Sequence, residues 1–439
     1  MTATQLPVLS VQHTFPEVIS DVRSGQLPHD TFWLSCYTEG PGTHAKVRVT
    51  LDEVQRDCVK LESTLDFEVY EAEKNKYIVK SDKHGIPATP LFVPTHQYAD
   101  PNRSNLTHPH RITAFDVAPD GSQFASGFLD GSVHIYSTAQ KTPPVETSFG
   151  KIHKSTTSSL QFFPSSRVLL SAGADFTLCI LPAEPSPTSS ALAPVRTLMG
   201  HRRVITSTAI VSRGRNVISA SMDGTIRLWD VSSGAQIHLL TTGGSSGRLA
   251  PITSISLGER SGAAFPATET TALAPDSREV DTADKLLFCA LQTKSFEAID
   301  LGSRETVFSS PTAAPLTAIS YSPTHNLLAT GSNKGIVDVY DTRALSEGRT
   351  LASFNRGDTH AGIAEITWVT DGTHLLVGTD DGLPFVARVG GGGGEAPVSV
   401  AGELVGTDCD AVRSLRAVGS SVWTAADDGV VRRYDPVWS

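Results

Sequence analysis

The sequence predicts an all-β protein, a seven-bladed β-propeller with a small N-terminal α+β domain. Three observations predict this fold class: a tight turn that recurs along the chain, short alternating stretches around each turn, and a different pattern over residues 1–89. A period in the mid-forties with four short strands per unit is typical of propellers, in which each unit forms one blade.

The clearest unit lies at residues 200–230. It contains three stretches typical of strands, VITSTAIV, NVISASMDG and IRLWD. In the third stretch Ile226 and Leu228 share one face, which is the two-residue period of a β-strand. Asp223-Gly224 separates the second and third stretches, and glycine accepts the positive φ that a tight hairpin turn requires.

Equivalent turns recur on both sides of this unit. The intervals between successive turns are 45, 48, 111, 47 and 47 residues. The interval of 111 residues is a double step that contains a degenerate unit, with its turn near Thr293-Lys294. The chain therefore has seven units, whose other turns start at Asp130, Asp175, Asp223, Lys334, Asp381 and Asp428.

The propeller is predicted to cover residues 90–439 and to close by joining the two ends of the chain. The seventh unit lacks a fourth strand, and an open sheet edge would pair with other chains. Residues 90–98, PLFVPTHQY, are the predicted closing strand of the last blade. Residues 259–284 in unit four and the glycine run 390–394 in unit six are predicted to be flexible insertions.

Residues 1–89 are predicted to form a separate domain that packs on the ring. Phe15, Val18, Ile19 and Val22 have the spacing of a short amphipathic helix. Five stretches with the alternation of strands follow, at residues 31–37, 45–51, 58–63, 67–72 and 76–81.

Composition excludes several classes of partner. The chain has 36 Lys and Arg against 46 Asp and Glu, a net charge of −10, which argues against nucleic acid as the main partner. No apolar run is long enough to cross a membrane, and residues 1–20 lack the pattern of an export signal. The five cysteines contain no CxxC pair, so no disulfide framework or zinc ribbon is expected. We expect a monomer located in the cytoplasm and nucleus.

His201, Ser219 or Ser221, and Asp223 supply the residue types of a hydrolase triad. In WD-repeat propellers, however, such residues form a buried hydrogen-bond chain with a tryptophan, because buried polar groups need partners. His201, Ser219, Asp223 and Trp229 are therefore assigned a structural role. Both serines lie within a strand, without the G-x-S-x-G turn that exposes a nucleophile. We predict no catalytic residue and no enzyme activity.

Cofactor and metal sites are also not expected. His108 and His110 lack a third ligand at a useful spacing and fit a loop before the first blade. The glycines at 390–394 are not followed by the Gly-Lys-Ser/Thr of a phosphate-binding loop. Arg202-Arg203 is a basic pair without an aromatic platform for nucleic acid, so we interpret it as a solvated surface.

Acidic residues near the last blade are the candidate partner-binding site. Asp380 and Asp427 each precede the aspartate of a turn and are left available for contacts. Asp408 and Asp410 come just before the first strand of unit seven and should reach the same rim. Glu403 is added to the site on the same turn geometry. The alternative is that these carboxylates serve only solubility.

Three segments, FWLSCY (32–37), STAIVSRGRNVISASMDGTIRLWD (207–230) and LVGTDCDAVRSL to VVRRYD (404–435), resemble the proteasomal ATPase-associated factor family. The resemblance implies an assembly chaperone that binds the C-terminal domain of an ATPase subunit in the base of the proteasome regulatory particle. Asp408, Cys409 and Asp410 match the acidic segment of that family before its last blade.

Two alternatives to this function stay open. The chain could be a WD-repeat scaffold of another complex, for example in ribosome assembly or in a ubiquitin ligase, because a fold does not specify its partner. An enzyme that uses the central channel is the third class, and the lack of clustered acid and base residues disfavours it.

Overall fold

Seven sheets form the blades of a ring, and an N-terminal region joins its outer side. The structure is a computed structural model that describes residues 3–38, 41–52, 58–73, 75–99, 110–139, 145–184, 190–243, 248–260, 276–357, 360–390, 397–435 and 437. The N-terminal region consists of β1 (Thr4–Leu6), β2 (Val8–Val11), α1 (Phe15–Arg23), β3 (His29–Tyr37), β4 (Thr43–Leu51), β5 (Val59–Ser63), β6 (Glu68–Glu73), β7 (Lys76–Ser81), β8 (Ile86–Phe92) and β9 (His96–Ala99).

Each blade is a sheet whose consecutive strands pair in antiparallel fashion. Blade one contains β10 (Ile112–Val117), β11 (Gln123–Phe128), β12 (Ser132–Ser137) and β13 (Val145–Lys151). Blade two contains β14 (Thr157–Phe162), β15 (Val168–Gly173), β16 (Thr177–Pro182) and β18 (Arg196–Met199). The short β17 (Ser190–Ala191), which comes before β18 in the chain, pairs with β13 of blade one. Blade three contains β19 (Ile205–Val211), β20 (Asn216–Ser221), β21 (Thr225–Asp230) and β22 (Gln236–Thr241).

The remaining blades follow the same plan. Blade four contains β23 (Ile252–Glu259), β24 (Lys285–Leu291), β25 (Ser295–Asp300) and β26 (Glu305–Pro311). Blade five contains β27 (Leu316–Ser322), β28 (Leu327–Ser332), β29 (Val337–Asp341), a 3-10 helix (Thr342–Glu347) and β30 (Ala352–Arg356). Blade six contains β31 (Ile363–Trp368), β32 (His374–Thr379), β33 (Phe385–Val389) and β34 (Val398–Leu404), and blade seven contains β35 (Val412–Val418), β36 (Ser421–Ala426) and β37 (Val430–Tyr434).

The first strands of the blades line the centre of the ring. Each lies beside the first strand of the next blade, and the first strand of blade seven lies beside that of blade one. They surround a central channel with a volume of about 370 Å³, which is lined largely by serine and threonine hydroxyls. Apolar clusters fill the space between neighbouring blades and hold them together.

An N-terminal strand completes the last blade. Strand β9 pairs with β37 in antiparallel register, with Tyr98 opposite Val431. The closing strand is shorter than the predicted 90–98, because the chain changes sheets at Pro94, which has no N–H to donate to a ladder. Residues before this point lie in β8, which pairs in parallel with β34 of blade six.

The N-terminal region is joined to the ring by hydrogen bonds as well as by packing. Strand β1 pairs in parallel with β30 of blade five, so N-terminal strands extend or complete blades five, six and seven. The region also has its own core, in which the apolar face of α1 packs on β3 and β4. Among the described helices, none is long and apolar enough to cross a membrane.

The two predicted insertions differ in what the structure describes. Residues 261–275 of the first and 391–396, which include most of the glycine run, lie outside the described residues. The end of the first insertion is not a free loop, because the N–H of Val280 donates to Asn216 Oδ1 at 2.8 Å. Glu279 also pairs with Arg304 at 3.0 Å, so residues 276–284 are fixed against blades three and four.

Candidate functional site

The four residues assigned a structural role in blade three form one buried chain of hydrogen bonds. Trp229 Nε1 donates to Ser219 Oγ at 2.9 Å, and Ser219 Oγ lies 2.7 Å from His201 Nε2. His201 Nδ1 lies 3.1 Å from Asp223 Oδ2. Ser219 is fully buried, so its oxygen cannot reach a substrate. The arrangement stabilises the blade, and it does not present a nucleophile.

Burial sets the ionisation of this chain. Desolvation is the largest influence on His201 and lowers its pKa below 6.5, so the ring is neutral near pH 7. Burial opposes ionisation of Asp223, but the N–H of Arg202 and both donors of Thr225 outweigh it and lower the pKa below 3.8. The His201–Asp223 contact is therefore a hydrogen bond to a carboxylate at neutral pH.

Blade two contains a second chain of this kind, which the sequence interpretation missed. His153 Nε2 lies 2.8 Å from Ser171 Oγ, and His153 Nδ1 lies 3.1 Å from Asp175 Oδ1. Burial lowers the pKa of His153 as it does for His201. The signal was present in the spacing, because each histidine precedes the aspartate of its turn by 22 residues.

Asp380 and Asp427, predicted to contact a partner, are brought together by a cation of the chain itself. Arg413 Nη1 donates to Asp380 Oδ1 at 2.7 Å, and its Nε and Nη2 donate to Asp427 at 3.1 and 2.9 Å. The bidentate contact fixes Asp427, whose side chain is only 13% exposed. Arg413 of blade seven thereby reaches Asp380 of blade six. Asp427 is occupied by this arginine, which corrects the view that it is available for contacts, whereas the side chain of Asp380 stays 48% exposed.

Asp408 and Asp410 remain at the rim. Asp408 is 70% exposed and lies 3.4 Å from the Nδ1 atom of His13 in the N-terminal region. Asp410 is half-buried, and desolvation, followed by repulsion from Asp428 and other carboxylates, raises its pKa. The intervening Cys409 is exposed. Partial desolvation of its thiol, followed by repulsion from nearby aspartates, raises its pKa.

Glu403 does not lie at the surface, which corrects its assignment as a contact residue. It is 4% exposed, and both of its oxygens accept hydrogen bonds from the guanidinium of Arg356. Arg356 also donates to the carbonyl oxygen of Pro7 at 3.0 Å, so the pair connects the N-terminal region with blades five and six. Strand alternation explains the error, since Glu403 lies in β34 with its side chain directed inward.

A hydroxyl group from each of the first five blades links it to the next blade at the channel. Each hydroxyl belongs to the second residue of the first strand of its blade. It donates to a main-chain carbonyl oxygen of the next blade at 2.5–2.9 Å. The five residues are Thr113, Ser158, Thr206, Thr253 and Thr317. Blades six and seven have Ala364 and Arg413 at this position. Between blades six and seven a hydroxyl further along the first strand, that of Thr367, donates to the carbonyl oxygen of Leu415 at 3.2 Å.

Arg416 joins blade seven to both of its neighbours by ion pairs. Its Nε donates to Asp116 of blade one and its Nη1 to Glu365 of blade six, both at 2.6 Å. The second oxygen of Asp116 accepts the N–H of Phe162 in blade two at 2.6 Å. No local sequence pattern indicates this network, because Asp116 and Arg416 are 300 residues apart.

Within the described part of the chain, no group of three or more histidine, cysteine or acidic residues is placed to hold a metal ion. His110 packs edge-on against Phe128, and His108 lies outside the described residues.

Three segments of the chain, residues 101–137, 192–230 and 302–341, match the family described as WD domain, G-beta repeat. They fall on blades one, three and five, together with the outer strands of blades two and four. The chain therefore contains WD40 repeats, and its ring is a WD-repeat β-propeller.

Several curated proteins are similar to the chain. The ribosome biogenesis protein ytm1 of Aspergillus terreus is 26% identical over 357 residues, which cover 77% of this chain and 70% of that protein. The ytm1 of Aspergillus niger is 26% identical over 280 residues, covering 61% and 56%. Human proteasomal ATPase-associated factor 1 is 28% identical over 160 residues, covering 36% and 37%.

These relatives overturn the expectation that the chain is a chaperone for a proteasomal ATPase subunit. The likeness to the proteasomal factor covers about half as much of the chain as the likeness to ytm1. The segment 207–230 that suggested the proteasomal family contains Ser219, Asp223 and Trp229, whose identities the hydrogen-bond chain of a blade requires. Such residues indicate the repeat and do not specify the partner.

Proposed function

We propose that the chain is a non-catalytic WD-repeat scaffold that binds protein partners during ribosome biogenesis. The observation that carries the proposal is the 26% identity to the ribosome biogenesis protein ytm1 over 77% of this chain. The buried state of Ser219 supports a non-catalytic role, because the triad-like residues are inaccessible. The expected monomeric state and cytoplasmic and nuclear location stay predictions.

The exposed part of the acidic rim is the proposed contact for one partner. Asp408 is 70% exposed, and desolvation, followed by repulsion from neighbouring carboxylates, raises the pKa of Asp410. A basic surface of a partner would relieve this repulsion, so its binding is favoured by electrostatic complementarity. Only Asp408 and Asp410 of the five predicted carboxylates are retained in this proposal.

The test is sedimentation of the tagged full-length protein through a sucrose gradient of cell extract. We expect the protein to sediment with pre-ribosomal particles and its depletion to cause ribosomal RNA precursors to accumulate. The Asp408→Ala/Asp410→Ala variant should shift toward the top of the gradient, whereas an Asp66→Ala variant, altered at an exposed carboxylate of the N-terminal region, should sediment as the wild type does. Absence of the wild-type protein from pre-ribosomal fractions, with normal precursor levels on depletion, would contradict the proposal.

A further inference from the structure

The turn between the second and third strands of blade two differs from its equivalents. One position of each turn has a positive φ, and in blade two it is occupied by Phe176 with φ of 72°. Blade four has Lys294 there, and the other blades have glycine, at Gly131, Gly224, Gly335, Gly382 and Gly429. A left-handed backbone is strained for a bulky residue and commonly marks a functional position. Turn formation alone therefore does not explain the aromatic side chain.

Phe176 borders a surface groove. The blade-two groove is defined by Ile152, Lys154, Phe176, Pro194 and Met199 and has a volume of about 390 Å³. Phe176 is 40% exposed and Met199 is 71% exposed, although both are large apolar residues. A concave surface with exposed apolar walls is typical of a binding site for another molecule.

The turns that carry glycine offer no comparable room. A Cβ atom at Gly131 would lie 2.2 Å from the carbonyl oxygen of His153, and one at Gly224 would lie 2.7 Å from the Cβ atom of Leu249. In blades one and three the following loop therefore closes over the turn. In blade two the chain accommodates an aromatic side chain at the same place, and the groove lies beside it.

The charges around the groove are positive. Lys154 lines the groove, and Arg202 and Arg203 are exposed on the next loop, directly after His201, which also lines it. The main-chain N–H groups of Lys154 and Arg202 each donate to the aspartate of a turn, at 2.9 and 2.8 Å. The two loops are thus equivalent, and their basic residues lie on the same face of the ring.

Asp175, the acidic residue that lines the groove, is not available to attract or repel a ligand. Asp175 already interacts with the ring of His153, the main-chain N–H of Lys154 and the hydroxyl of Thr177. Its side chain is only 11% exposed. A ligand in the groove would therefore meet apolar walls and exposed cations, a combination that fits an apolar side chain flanked by carboxylates.

We propose that the blade-two groove binds an acidic segment of a protein partner, with one apolar side chain of that segment seated between Phe176 and Met199. The inference rests on the proposed function in so far as a scaffold must bind partners. It adds a second contact surface, with chemistry opposite to that of the acidic rim at Asp408 and Asp410.

To test the proposal, a phage library of random 16-residue peptides is selected for binding to the purified protein. Peptides that also bind the Met199→Asp variant are removed by counter-selection. We expect the selected peptides to carry Phe, Leu or Trp next to Asp or Glu. Their affinity, measured by fluorescence polarisation, should fall at least tenfold for Met199→Asp, for Phe176→Gly and for Lys154→Glu/Arg202→Glu.

Phe176→Gly separates binding from folding. Glycine relieves the strained backbone, so we expect a melting temperature no lower than that of the wild type together with the loss of peptide binding. Lys294→Gly is the matched control, because it makes the same change at the equivalent turn of blade four. This control should keep full peptide affinity.

Several outcomes would overturn the proposal. They are a failure to enrich peptides over the counter-selection, selected peptides without acidic residues, and equal binding by Phe176→Gly and the wild type. Binding of a labelled 20-nucleotide RNA that is lost in Lys154→Glu/Arg202→Glu but kept in Met199→Asp would assign this surface to nucleic acid instead.

The peptide assay uses the purified chain and does not depend on the gradient experiment. A failure of gradient sedimentation would contradict the ribosomal role, and the peptide assay would still decide whether the groove binds.

Discussion

At the residue scale, the hydroxyl of Ser219 fixes the direction of a whole hydrogen-bond chain. Tryptophan can only donate, so Trp229 donates to Ser219, and the serine hydroxyl then donates to His201 Nε2. The Nδ1 atom of His201 therefore carries the proton and donates to Asp223. Each buried polar atom of the chain has a partner, and removal of one member leaves another unsatisfied.

Replacement of Asp223 tests this chain. We expect Asp223→Ala to lower the free energy of unfolding by about 1–3 kcal/mol. The Nδ1–H of His201, the main-chain N–H of Arg202, and the N–H and hydroxyl of Thr225 would all lose their acceptor. Urea unfolding at pH 7 measures the change. Asp408→Ala, at an exposed carboxylate, should stay within about 0.5 kcal/mol of the wild type. Equal unfolding curves for Asp223→Ala and the wild type would contradict the structural role.

The buried histidines predict how stability depends on pH. The pKa values of His153 and His201 are lowered from 6.5 by burial, so below about pH 6.5 the unfolded state binds more protons than the folded state. Stability should therefore fall as the pH decreases from 6.5 through the folded pKa values. Urea unfolding between pH 7.5 and 5 should show this fall. The slope of stability against pH should be smaller in His153→Gln/His201→Gln than in the wild type.

At the scale of elements, strands within a blade could be predicted from the sequence because their pairing is local. The turns carry Asp-Gly or a similar pair, and the strands on either side alternate over a few residues. The pairings of β1 and β8 join residues more than 300 positions apart, and no local pattern encodes them. The pairing of β9 with β37 is equally distant and was expected only because unit seven lacks a fourth strand. The predicted closing strand, residues 90–98, is longer than β9 because only Pro94 marks where the chain changes sheets.

The closing strand contributes a large apolar side chain to the ring. Tyr98 of β9 is 3% exposed and stacks on Trp423 at 5.7 Å between ring centroids. We expect Tyr98→Ala to lower the free energy of unfolding by about 3–5 kcal/mol, the usual effect of removing a buried aromatic ring. Thermal and urea unfolding would measure it, together with light scattering for association through the freed edge of β37. Tyr70→Ala, at a residue 43% exposed, is the control and should be nearly neutral.

The candidate site shows the same division between local and distant information. The repeat positions of His201, Ser219, Asp223 and Trp229 could be assigned from the sequence because they belong to one unit. The roles of Asp380 and Asp427 could not, since they depend on Arg413, a residue of blade seven that reaches both turns. A carboxylate that looks available in a turn motif can thus be neutralised by a neighbouring blade.

At the scale of the whole molecule, one face of the ring carries opposite charges on different sectors. The turns and the loops that follow them lie on this face, as the contacts of Gly131 with His153 and of Gly382 with Asp410 illustrate. Lys154, Arg202 and Arg203 are exposed beside blades two and three, whereas Asp408 and Asp410 lie before blade seven. An asymmetric charge distribution orients an approaching partner and favours one docking direction.

Ring closure also differs around the molecule, because ion pairs of Arg416 join blade seven to both blade six and blade one. Arg416 contacts both Asp116 and Glu365, and its side chain is about 25% exposed in the channel. Burial raises the pKa of Asp116, and the Arg416 guanidinium opposes that rise. Loss of the arginine would leave a buried carboxylate without its cation, which is more destabilising than loss of a neutral partner.

Replacement of Arg416 tests this account of closure. We expect Arg416→Met to lower the free energy of unfolding by about 3 kcal/mol, against about 1 kcal/mol for Thr206→Val, which removes one hydroxyl link between blades three and four. Adding Asp116→Asn to Arg416→Met should restore part of the loss, because the uncharged amide tolerates burial better than the carboxylate. Urea unfolding of the three variants and the wild type at pH 7 supplies the measurements. Equal effects of Arg416→Met and Thr206→Val, with no recovery in the double variant, would mean that the ion pairs contribute no more to closure than a single hydroxyl.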